Sequence, residues 1–384
     1  MSFHPSVNRE SLVSLARDVI RFKTDQDNEG ALASYLFKRL RAQGIEVHDE
    51  DVVAGRPNVI VKVSGNDSSQ LPLVINAHMD GSYHVGGWSR DALEGWIEGD
   101  KLFGAASSDM KGGLAAMVAA IETAAISKTL PRDLILQAVM HHDTVGLGTK
   151  YVLASEGPFE GYGICGEPTN MGINYAHGGA VKFKITVYGK ASHISRFDEG
   201  IDALKAAVAL YSRVPEMSLT FTPNATLPEL PKVLVGVLNG GFAAGCIADE
   251  AILLGDVRTL PDMNRHTVYA DLKRLVEEVS VDGCNYQIKI TAAQKSFTGK
   301  KESPLMSSLE RAYSGVRGVK PNLTTAMPNQ AFVTDAADMQ ASGLESLVFG
   351  PGDWKYVSDE YISIKDMHDA AQIYLNTAYE LPLR

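Results

Sequence analysis

The chain is poor in cysteine: Cys165, Cys246 and Cys284 are the three among 384 residues, far apart and without CxxC spacing. An odd number so dispersed indicates free thiols and a reducing, cytoplasmic setting. Lysine and arginine form no cluster and the formal charge is −10, which argues against nucleic acid as a partner. No apolar run reads as long enough to span a membrane, so no membrane partner is expected. The N-terminus lacks a basic segment followed by an uninterrupted apolar one. It reads as an amphipathic helix capped near Asn8 or Ser11, not as a signal peptide. Internal repeats and low-complexity tracts are also missing.

What remains is a globular composition, 45% hydrophobic and 21% charged, at a length that favours two domains. Helical periodicity covers 9–22 and 31–43, strand-like runs 58–63 and 73–77, a small-residue helix 112–126, and a strand 134–140. That alternation predicts a three-layer α/β domain whose ligands gather at the carboxyl ends of strands. From about Ala180 the texture changes. AVKFKITVYG is a period-two strand, followed by a helix at 200–212, strands at 233–238 and 251–257, a helix at 265–279 and NYQIKITA. Strand–helix–strand–strand–helix–strand is the ferredoxin-like split pattern. The expected organisation is residues 1–178 and 295–384 in one domain, with 179–294 inserted as a second.

Acid and imidazole groups fall at strand ends. LVINAHMDG supplies His78 and Asp80; two residues apart on a strand, they share a face, so the Asp80 carboxylate can fix the His78 tautomer. SSDMKGG places Asp109 before a helix, where a lone aspartate is more often an N-cap. GICGEPTN places Glu167 after another strand, where a buried acid is costly without a cation. One histidine and two carboxylates suit a divalent Zn, Mn or Co ion. In AVMHHDTVGLG, a core strand ends on His141, His142 and Asp143. His141 alternates with His142 and so faces away, in a structural role. His84 and His177 are pocket candidates; His4, His48, His266 and His368 read as surface groups.

AHMD, GAASSDMKGG, the HHD stretch, GEPT, GKASHIS and FGPG occur in the order found in a metallohydrolase family, and the similarity covers nearly the whole chain. That family includes acetylornithine deacetylase, succinyl-diaminopimelate desuccinylase, aminoacylase and carboxypeptidase G. The resemblance implies a zinc-exopeptidase-like catalytic domain with an inserted lid that dimerises, so a homodimer or larger homo-oligomer. It implies Asp109 as a metal bridge, with His78 and Glu167 completing the first metal site. It makes His193, in GKASHIS, an oxyanion donor reaching a partner subunit's site, and Arg258, in GDVRTLP, an anchor for a substrate carboxylate.

The chain also departs from that pattern. Where the family has Asp-Glu-Glu, this sequence has His141, His142 and Asp143: His142 takes the place of the general base and Asp143 that of a second-metal ligand. Tyr356 stands where a histidine ligand is usual; metal ligand, substrate contact and filler are all open to it, and a substrate contact is the expectation. Ala105, Gly245 and Ala248 replace a family arginine, asparagine and proline. Both private ligands of the second metal are altered, so one well-occupied metal is expected. The leading expectation is hydrolysis of a C–N bond by metal-activated water, with His142 carrying the proton. The expected substrate is a small carboxylate-bearing amide. Hydrolytic deamination of an activated aromatic amine, as by 5-nitroanthranilate aminohydrolase, is the alternative; a non-catalytic small-molecule-binding relative is the second.

Overall fold

The computed structural model describes residues 4–25, 28–81, 86–142, 146–156, 160–355 and 357–384. The main strands, in chain order, are β1 (Glu46–Val53), β2 (Arg56–Val63), β3 (Leu73–His78), β4 (Leu134–Val139), β5 (Gly161–Cys165), β6 (Gly179–Tyr188), β7 (Lys232–Gly240), β8 (Glu250–Thr259), β9 (Asn285–Gln294) and β10 (Leu344–Val348). The main helices are α1 (Arg9–Ile20), α2 (Gly30–Ala42), α3 (Gly112–Ser127), α4 (Leu147–Glu156), α5 (Ala203–Arg213), α6 (Arg265–Val279), α7 (Pro304–Arg317), α8 (Ala336–Ala341) and α9 (Ile364–Glu380). Two compact units result: Met1–Tyr175, Thr298–Thr324 and Thr334–Arg384 form one, Ala176–Phe297 and Thr325–Val333 the other. The return of Thr325–Val333 to the second unit differs from the expected three-segment division.

The first unit is built on a six-stranded sheet in the order β1-β2-β4-β3-β5-β10. β4, β3, β5 and β10 run parallel, while β2 and β1 are added antiparallel. Buried parallel strands need apolar residues on both faces, and LVINAH and LILQAV supply them. Leu73 and Ile75 join the main core with Leu114, Met117 and Ile121 of α3 and Ile373 and Tyr374 of α9. Val74 is equally buried but lies outside that cluster, on the face that α4 and α8 cover. Helices on both faces make the three layers.

One expectation needs correcting. Ser107–Ser127, 21 residues ending in α3, is long and apolar enough to cross a membrane. It is a core helix instead, with 78% of its apolar window buried. Asp109 and Lys111 interrupt its start, so no unbroken apolar run of that length stands out in the sequence.

The second unit holds a four-stranded antiparallel sheet in the order β7-β8-β6-β9, with α5 and α6 as its helices. With β6 as the first strand, this is the split pattern the sequence indicated. Asp202 caps α5 and Asn264 caps α6, each accepting main-chain N–H bonds from the first turn.

Candidate metal centre

Because β3, β4 and β5 are parallel neighbours, the chain leaves all three at the same edge of the sheet. His78 is the last residue of β3, His142 follows β4 and Glu167 follows β5. All three are buried, and their ligand atoms lie within 4.8 Å of one another.

His78 Nδ1 lies 2.9 Å from the main-chain oxygen of Asp80. A carbonyl only accepts, so the neutral ring carries its proton on Nδ1 and offers the Nε2 lone pair. Nε2 faces Asp109 Oδ1 at 3.2 Å and Glu167 Oε2 at 3.7 Å. The expected contact through the Asp80 carboxylate is not the close one: β3 ends at His78, so strand alternation does not reach Asp80, and its Oδ1 is 3.6 Å from Nδ1. That oxygen accepts the His142 main-chain N–H at 3.1 Å instead.

His141 adopts φ 54°, in the left-handed region, just past the end of β4. Its N–H donates to Glu29 Oε1 at 3.1 Å and its Nδ1 is 2.9 Å from Arg56 Nη2. Arg56 grips the fully buried Glu29 carboxylate with two nitrogens, at 2.8 and 2.7 Å. His141 is therefore structural, as expected, although backbone reversal and not strand alternation separates it from His142. The imidazole of His142 points into the site. Its Nε2 is 3.2 Å from Glu167 Oε1, and its Nδ1 is 3.0 Å from Asp335 Oδ1, off the line of an ideal hydrogen bond. Asp335, buried just before α8, was absent from the sequence reading.

Asp109 lies in the turn Ser107–Lys111 that opens α3. It reaches the cluster through His78, and Glu360 holds its loop. The buried Glu360 carboxylate accepts N–H bonds from Ser108 at 2.7 Å, Asp109 at 3.2 Å and Ala106 at 3.2 Å. Desolvation raises the Glu360 pKa to about 7, against the lowering effect of those donors. Glu167 is approached closely by the FGPG segment. A Cβ on Gly350 would sit 2.2 Å from the Gly166 oxygen and 2.6 Å from that of Glu167, so only glycine fits.

His193 and Arg258 belong to the second unit. His193 is exposed, and its Nδ1 accepts the Ser195 main-chain N–H at 3.2 Å, which leaves the proton of the neutral ring on Nε2. Arg258 is half-buried, with Nε 3.3 Å from Asp256 Oδ1, on a strand paired on both sides rather than at an edge. His177 is buried in the same unit, its Nδ1 donating to the Gly178 carbonyl at 2.7 Å. Asp143, Tyr356 and His84 lie outside the described residues.

A model of Peptidase family M20/M25/M40 matches residues 74–380. The chain belongs to the M20 family. Among its relatives in this family, a probable succinyl-diaminopimelate desuccinylase of Staphylococcus aureus (strain MRSA252) is 25% identical over 93% of each chain. The N-formyl-4-amino-5-aminomethyl-2-methylpyrimidine deformylase of Bacillus subtilis (strain 168) is 24% identical, covering 96% of this chain and 94% of its own. Human carnosine dipeptidase 1 shares the fold with a TM-score of 0.80 at 15% identity, covering 97% of this chain and 96% of its own. The M20 protein is thus a metallohydrolase acting on C–N bonds, in a family that binds divalent metal.

The donors present fit such an ion. Burial alone would lower the pKa of both imidazoles. Glu167, Asp109 and Asp80 nevertheless hold His78 well above the usual histidine value, and Asp335 with Glu167 lifts His142 to about 10. This is a field that favours positive charge. Glu167 Oε2 is buried without a hydrogen-bond partner among the described residues, an oxygen whose desolvation a cation would offset. Cys165, two residues before Glu167, is held well above the usual thiol range by burial, then by Glu167.

Proposed function

We propose that this M20 metallohydrolase removes an acyl group from nitrogen in a small carboxylate-bearing molecule, using one divalent ion held by His78, His142, Glu167 and Asp109. The observation that carries this reading is the convergence of His78, His142 and Glu167 within 4.8 Å, with Glu167 Oε2 accepting no hydrogen bond among the described residues. The names of the desuccinylase and deformylase relatives support the acyl–nitrogen choice over deamination of an aromatic amine.

A bound zinc, cobalt or manganese ion would supply Lewis acidity toward the substrate carbonyl and toward water. His142, whose Nε2 faces Glu167 Oε1 at 3.2 Å and whose Nδ1 faces Asp335 Oδ1 at 3.0 Å, is reassigned in this proposal from proton carrier to ligand. Asp80 supports it by accepting its main-chain N–H. In a homodimer, His193, with its ring proton on Nε2, would donate to the substrate oxygen at a partner subunit's site as negative charge develops there. Arg258 is proposed to meet the substrate carboxylate, and a homodimer is the proposed assembly.

The test is a panel of N-succinyl, N-formyl and N-acetyl amino acids and a nitroaniline, assayed with zinc, cobalt or manganese and after chelation. Metal-dependent release of the carboxylic acid is expected. Ammonia release from the nitroaniline without deacylation would overturn the substrate class, and hydrolysis unaffected by complete metal removal would overturn the metal reading.

A further inference from the structure

We infer that Asp335 and Thr149 are positioning residues that aim the His142 ring from behind the sheet, anchored through Asn76. This rests on His142 being a metal ligand. Asp335 Oδ1 is 3.0 Å from His142 Nδ1, while its other oxygen accepts the Thr149 hydroxyl at 2.6 Å. Thr149 in turn accepts Asn76 Nδ2 at 3.0 Å. The same Asn76 amide donates to Gln137 Oε1 at 3.3 Å, and the two residues are direct partners across β3 and β4.

The chain of contacts is buried from end to end. Asp335 is 3% exposed, Asn76 1%, Thr149 and Gln137 0%. Isolated, such groups would be costly to bury, and aliphatic side chains here would avoid that cost. What the polar set provides is orientation. An imidazole attached at one carbon rotates about χ2, and a contact at Nδ1 fixes the plane in which Nε2 points. The Asp335 carboxylate cannot turn away from Nδ1 without breaking the short bond to Thr149. Thr149 sits on α4 and Asp335 abuts α8, so two helices on the face opposite α3 set one ligand's direction.

The experiment compares Thr149→Val, Thr149→Ser, Asp335→Asn and His142→Ala. Zinc affinity is measured by chelator competition, the visible spectrum of the cobalt-loaded protein is recorded, and unfolding of the metal-free protein in urea is followed. Asp335→Asn is expected to lower zinc affinity roughly 10–100-fold and Thr149→Val about tenfold, each with an altered cobalt spectrum. Thr149→Ser, which keeps the hydroxyl, should restore both readouts. If His142→Ala loses affinity while Thr149→Val and Asp335→Asn bind zinc like the wild type, positioning is refuted and the ligand assignment stands. If His142→Ala binds zinc like the wild type, both are refuted. Should Thr149→Val not fold, Asp335→Asn decides by the same two readouts.

Discussion

The ring of His142 lies stacked on that of His78, centroids 4.7 Å apart and 14° from parallel. Two protonated imidazoles in that arrangement repel, whereas two neutral rings can direct Nε2 lone pairs to one shared cation beside Glu167. A donor set of two imidazoles and carboxylates suits zinc or cobalt better than magnesium, which prefers oxygen throughout. Zinc at 100 times its dissociation constant should therefore stabilise the metal-free protein by about 2.7 kcal/mol, and magnesium at the same concentration by far less. Thermal and urea unfolding of the chelated protein, with each ion added back, measures this. Equal stabilisation by both ions would contradict a nitrogen-rich site.

Glu360 shows how a carboxylate can serve the site without touching the cluster. Three main-chain N–H groups of the Asp109 loop end on it. Glu360→Ala leaves those buried donors without their acceptor, at about 1–3 kcal/mol each before relaxation. Unfolding in urea should register a loss of that order. Zinc affinity should fall as well, because Asp109 is no longer held beside His78. A stability loss with unchanged affinity would mean the loop keeps its shape without Glu360.

Arg132 performs a task remote from chemistry. It is fully buried, and burial lowers its pKa, yet it donates to main-chain oxygens of Ala378, Leu71, Leu381 and Pro382 at 3.0, 2.9, 2.7 and 2.9 Å. The guanidinium thus ties the end of α9 to the start of β3. Replacing it with methionine keeps much of the volume and abandons four carbonyls, so a destabilisation of at least about 3 kcal/mol is expected. Zinc affinity of the folded fraction should not change. A fall in affinity matching the loss of stability would show that the C-terminal helix also governs the site.

Long periodic segments were legible in the sequence because their own packing determines them. α6 runs over the residues expected, and α1, α3 and β4 differ from expectation by a residue or two at their ends. β1 was missed because EVHDEDVV is a charged edge strand with a largely exposed pattern, so alternation of apolar residues hardly shows. His78, Asp109 and Glu167 were legible because each ends a strong apolar run or opens a glycine-rich helix. Asp335 was not: in FVTDAADM it reads as an ordinary acid before a short helix, and only the fold brings it to His142. Strand alternation also stopped being a guide where the strands stopped, at Val139 for His142 and at His78 for Asp80.

The Glu29–Arg56 pair bears directly on the two histidines that follow β4. Glu29 is completely buried, and it balances Arg56 while accepting the N–H of His141, a residue whose positive φ directs the next side chain inward. Removing the cation alone, in Arg56→Met, leaves an anion in the interior and should cost about 3–5 kcal/mol. Changing both residues, in Glu29→Gln with Arg56→Met, removes the uncompensated charge and should cost less than Arg56→Met alone. The amide oxygen that Glu29→Gln introduces can still accept the His141 N–H, so the zinc affinity of the double variant should stay nearer the wild-type value. A double-mutant cycle on urea unfolding and zinc binding separates the two effects. Additive losses would show that Glu29 and Arg56 act independently and that the turn at His141 does not depend on their pairing.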